Sequence, residues 1–195
     1  MIKDLCEDEM DPVNNPMFPA FILYVSGFVL FGIILIVWYR IRYKNIKKVL
    51  EIQSKKRNGI IEKTPSFAHD PLGLHIKFSI KKYTIMISVY PLLIGGYAYA
   101  TKLYMIGMPK CKKTTVNISS LKESFEIKGE ESLINKIFTP ELQSKLLEFL
   151  PGKPSLIIEN DEMEIYLKYK ILKTEEEYDL LIELALEIAE KIEKQ

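Results

Sequence analysis

The chain holds little of what familiar active sites are made from. Only two histidines, two cysteines and one tryptophan occur in 195 residues. Cys6 and Cys111 are too few for a disulfide framework or a thiolate zinc site within one chain. Nine glycines are present, yet no G-x-x-x-x-G-K-[ST] phosphate loop, G-x-G-x-x-G turn or G-x-S-x-G elbow is among them. Gly95-Gly96 reads as a loop pair. Basic, aromatic-bearing strands lack a ribonucleoprotein-type stacking motif, which argues against a nucleic-acid partner.

The few residues that could carry chemistry are poorly arranged for it. His69, Asp70 and His75 in "FAHDPLGLH" would make a three-ligand metal site only if loop and strand converged. No helical or strand period aligns them, so surface histidines are expected, with no metal and no cofactor. Cys111 sits in "PKCKKTT", where flanking lysines are expected to lower a thiol pKa. A nucleophile also needs a base and an orienting partner, and neither can be named. Glu159, Asp161, Glu162 and Glu164 crowd what reads as a hairpin tip, where solvated carboxylates are ordinary. The expectation is therefore a non-enzyme with no catalytic residue.

Charge is absent altogether from Pro12 to Tyr39. Its core, "AFILYVSGFVLFGIILIVWY" (Ala20–Tyr39), is apolar on every face. At ~1.5 Å per residue, about 20 residues cross the ~30 Å hydrocarbon layer. A cleaved signal peptide fits less well: the run is long, the preceding tail is acidic and no small-residue cleavage site follows. A buried core helix of this length would ordinarily show a polar face. The reading is a transmembrane helix over 17–39, with Trp38 and Tyr39 as interfacial anchors.

Elsewhere charge is plentiful but segregated. The formal net charge is +1, yet residues 1–11 carry −4, 40–82 carry +9, 83–128 carry +4 and 129–195 carry −8. Arg40, Arg42, Lys44, Lys47 and Lys48 follow the apolar run at once, whereas only Lys3 precedes it. Positive flanks stay cytoplasmic, so the acidic tail 1–16 is placed outside the cell membrane and the rest inside. Those five cations are the expected membrane-surface contacts, each worth ~1 kcal/mol near an anionic leaflet. Residues 40–58 then read as a basic juxtamembrane helix or stalk ending at Asn58-Gly59.

Residues 59–195 read as a cytoplasmic α+β domain, a mostly antiparallel sheet packed against amphipathic helices. "HIKFSI" and "YTIMISVY" alternate apolar with polar residues, "YAYATKLYMIG" follows, and "TTVNIS" and "SFEIKG" are possible short strands. Tyr83–Ala100 carries no charge, which leaves a second membrane helix as an alternative; its Pro91 and Gly95-Gly96 break and its β-branched content favour strands. "EESLINKIF" suggests a short helix, and "TPELQSKLLEFL" a clearer one with Thr139 as cap and Pro140 in the first turn. "SLIIEN" and "MEIYLKYKIL" are expected to form a hairpin about Asp161-Glu162. The last helix opens with Thr174 and Glu177 as a capping box and repeats Tyr178, Leu181, Ile182, Ala185, Ile188, Ala189 and Ile192 on one face.

The order from Phe125 to Lys194, a Phe-bearing strand, a short helix, a "TPE" helix, a hairpin and a helix opening on an acidic cluster, resembles the C-terminal part of a loose group of uncharacterised prokaryotic membrane proteins. That resemblance implies architecture and transfers no functional residue. The leading expectation is a single-pass membrane protein whose cytoplasmic domain contacts a protein partner or another copy of itself. An alternative is a small-ligand or lipid-binding module, with Tyr83, Tyr90, Tyr97, Tyr99 and Tyr104 lining a pocket.

Overall fold

Hydrophobic periodicity builds one sheet, and the described helices share a single core with it. The computed structural model describes residues 17–63, 73–90, 100–119, 124–149 and 153–194. Its chain divides into two compact units, the first ending at Ile41 and the second running from Arg42 to Gln195.

The described part of the first unit is the N-terminal stretch of helix α1, Met17–Lys56. From Phe21 on, most of its side chains are open to the surroundings: Phe21 is 64% exposed, Leu23 76% and Phe28 69%. By length and composition it is able to cross a membrane.

In the second unit α1 becomes amphipathic. Ile46 and Leu50 enter the core, and Gln53 and Ser54 are buried beside them, spaced at one helical face. The segment over 40–58, read as a juxtamembrane helix or stalk, is helical to Lys56 and packs on the domain through these residues. Asn58, in the left-handed region at φ 51°, ends the helix. The Gly59 amide donates to the Ser54 carbonyl at 2.8 Å and Asn58 to Lys55 at 3.4 Å, which closes a Schellman motif. Gly59 is required there, because a Cβ would stand 2.8 Å from the Lys77 carbonyl oxygen.

Six antiparallel strands follow: β1 (Ile60–Lys63), β2 (Leu74–Ile80), β3 (Tyr83–Tyr90), β4 (Ala100–Ser119), β5 (Ser124–Lys128) and β6 (Lys153–Lys168). Strands β1 to β5 pair in sequence order, and β6 runs along the other side of β4. Ile76 faces Ile87, which faces Leu103, which faces Ile165, so one apolar row crosses four strands. All four of these side chains are buried. Each such residue stabilises the fold by roughly 1.5–3 kcal/mol relative to exposure.

Two expectations about strands change. Residues 114–119 are the second half of β4 instead of a separate strand, because bulges between Ile106 and Thr114 bend the ladder without breaking it. The hairpin about Asp161-Glu162 does not form: β6 runs straight through, both halves paired to β4. Asn160, at φ 56°, absorbs the irregularity that the polar tetrad suggested was a turn. As for the second-helix reading, Tyr83–Tyr90 is strand β3, and residues 91–99 lie outside the described residues.

The helices form where the sequence places them. Helix α2 spans Glu131–Ile137 and α3 Pro140–Leu147, with Thr139 accepting from the Leu142 amide at 3.4 Å. Helix α4, Glu175–Glu193, starts from a complete capping box of Thr174 and Glu177. All seven expected face residues of α4 are buried, with Leu184 added to them. Together these elements give an α+β fold with a long apolar N-terminal helix.

Candidate functional site

Three regions hold the residues singled out by sequence: the basic run in α1, the face of the sheet away from the described helices, and the middle of β4 around Cys111.

Within the basic run, Arg40, Lys44, Lys47 and Lys48 are exposed, while Arg42 and Tyr39 are half-buried. Trp38 is 51% exposed. Lys47 is 3.6 Å from Glu51 one helical turn on, a surface pair worth a few tenths of a kcal/mol. Among the described residues no acid engages Arg40, Lys44 or Lys48. The cations further along behave differently. Lys56 sits 2.7 Å from Asp179 in α4, and Arg57 joins the same carboxylate while lying 5.6 Å from the Phe78 ring centroid. Gln53 donates to the Glu175 carbonyl at 3.1 Å. In the β2–β3 turn, Lys81 reaches Glu190 and Lys82 reaches Glu193.

The acidic face of α4 is therefore largely answered from inside the domain. Burial alone would raise the Asp179 carboxyl, but hydrogen bonds from Lys56 and Arg57 outweigh it and hold it below the usual range. Glu187 is lowered by its hydrogen bond from Lys145, at 2.5 Å. Tyr83 donates to Glu193 at 2.5 Å, and burial first, then that bond, pushes its phenol up. Sequence reasoning saw the two charge blocks without seeing that they meet.

On the other face of the sheet, register sets a polar row: His75 opposite Ser88, Ser88 opposite Lys102, and Lys102 opposite Tyr166. His75 and Ser88 are buried and share a 2.6 Å hydrogen bond, which satisfies two polar groups that burial would otherwise leave costly. Lys102 pairs with Glu164 at 2.8 Å. Tyr104 is pushed up to about 12, chiefly by its hydrogen bond to Glu162 and then by burial. The Tyr166 phenol is raised by burial. Tyr90 and Tyr166, the latter unnoticed in the sequence, share this face with Tyr104. Tyr83 does not: it is buried on the opposite side and donates to Glu193 in α4. Tyr97 and Tyr99 lie outside the described residues.

Cys111 occupies the bulged middle of β4, half-buried, with its Sγ 3.2 Å from the Pro109 carbonyl oxygen. Its thiol is raised by burial and then by Glu130, the reverse of the lowering expected from the adjacent lysines. Those lysines point to acids instead: Lys113 to Glu159 at 2.9 Å and Lys112 to Glu130 at 3.9 Å. His69 and Asp70 lie outside the described residues, and among the described ones no group of three metal-ligating side chains comes together.

Taken as chemistry, the domain offers paired ions and hydrogen-bonded phenols that tie its own elements together. No family model, curated protein or solved structure matches the chain.

Proposed function

We propose that this chain is a non-enzymatic, single-pass membrane protein that holds its α+β domain at the cytoplasmic face for contact with a protein partner. The observation that supports it best is the bareness of α1: none of its most apolar stretch is buried. Monomeric soluble proteins rarely show apolar patches beyond a few hundred Å². A bilayer removes that liability. Arg40, Arg42, Lys44, Lys47 and Lys48, set against Lys3 alone on the other flank, favour the N-terminus outside.

A membrane-impermeant maleimide tests the topology in intact cells. Cys6 should react from outside, and Cys111 only after lysis. Because Cys111 is half-buried, a denatured sample sets its maximum labelling. Labelling of both cysteines from outside overturns the orientation.

A further inference from the structure

Strand β6 is, among the described residues, a long open edge of this sheet. Among the described residues β4 is its only partner strand, so the other side of Lys153–Lys168 presents backbone N–H and C=O groups without a ladder. Such an edge invites another strand, and natural proteins restrict which one by bulges and charges. Both devices are present. Asn160 at φ 56° and Tyr169 at φ 63° bracket the straight stretch 162–168. Its residues away from the helices are Glu162, Glu164, Tyr166 and Lys168, half-buried or exposed, while Met163, Ile165 and Leu167 are buried on the helix-covered side.

We infer that two copies of this chain pair antiparallel through β6, about a two-fold axis at Ile165, to form one continuous sheet. That register aligns the whole bracketed stretch with itself. It sets Glu162 opposite Lys168 of the second copy, twice by symmetry, and Glu164 opposite Tyr166. Other registers are penalised. Centring on Glu164 places that carboxylate against its own copy, and centring on Met163 places Glu162 against Glu164. Centring on Tyr166 brings Tyr169 into the ladder, where its left-handed backbone ends the strand. Charges that repel shifted or foreign strands thus fit this one pairing.

The interface is a single strand pair with little apolar burial, so the dimer is weak in solution and gains from confinement of both copies to one membrane. The inference rests on the interaction-module reading, and not on the orientation of α1. Sedimentation of the full chain in detergent micelles, over a concentration series, tests it. Wild type should show a monomer–dimer equilibrium. Glu162→Lys and Lys168→Glu each turn two attractions into two repulsions and should raise the dimer Kd roughly tenfold. The double variant, which restores opposite charges in swapped order, should return it to within about threefold of wild type. A chain that stays monomeric throughout, a dimer indifferent to either reversal, or a double variant as weak as the singles overturns the proposal. The cysteine labelling reads α1 alone, so failure there leaves this result intact.

Discussion

Leu50 decides whether the basic end of α1 is part of the domain. It is fully buried within the core that also holds Ile76, Leu103 and Tyr178. Leu50→Ala removes three carbons, a transfer loss of about 2.4 kcal/mol at ~0.8 kcal/mol each. The cavity left behind brings the total to about 3–5 kcal/mol. Against a typical domain stability of ~5–15 kcal/mol that is a large fraction. With a urea slope near ~2 kcal/mol/M, the midpoint should fall by about 1.5–2.5 M. The assay is urea unfolding of the full chain in mild detergent, followed by the far-ultraviolet signal of the sheet. Lys48→Ala, on the exposed side of the same helix, should stay within ~0.5 kcal/mol of wild type. If Leu50→Ala shifts the midpoint no more than Lys48→Ala, the helix is a solvated stalk and the docking argument fails.

Two further outcomes follow from buried and paired groups. The Tyr178 hydroxyl is buried without a hydrogen-bond partner among the described residues, so Tyr178→Phe should leave stability unchanged or raise it by about 1 kcal/mol; a clear loss in the same urea assay would expose a partner for that hydroxyl. Asp179 and Glu187 titrate below their ordinary values in the fold, so the unfolded chain binds protons first as pH drops. Their contribution is complete above about pH 5 and is lost as pH falls through the lowered folded values. Asp179→Asn should flatten that part of the acid-unfolding curve, and an unchanged curve would refute the assignment.

Much of the fold was legible because the period of apolar residues is a direct statement about faces. The alternation in β2 and β3, the Thr139 and Thr174 caps and the α4 stripe each follow from side-chain geometry within a few residues. The failures came where a local signal competes with a long-range one. Four polar residues, Asn160 to Glu162 with Glu159, resemble a turn, but β4 supplies a partner on both sides of them and keeps β6 extended. The thiol of Cys111 went wrong for a related reason. Sequence shows the adjacent lysines, whereas burial and Glu130, brought close by the fold, set the shift.

The charge blocks carry the same lesson further. A net of +9 over residues 40–82 reads as a single message about the membrane. The fold splits it in two. Lys56, Arg57, Lys81 and Lys82 are spent on Asp179, Glu190 and Glu193, tying α1 and the β2–β3 turn to α4. Arg40, Lys44 and Lys48 find no acid among the described residues. Charge alone cannot mark where one role gives way to the other, since Lys44 and Lys56 look alike in a sequence. The apolar spacing can: Tyr43, Ile46 and Leu50 recur at helical intervals and show where α1 starts to face a core. A basic segment that also carries such a stripe packs on its own domain, and its outward cations are the ones left exposed.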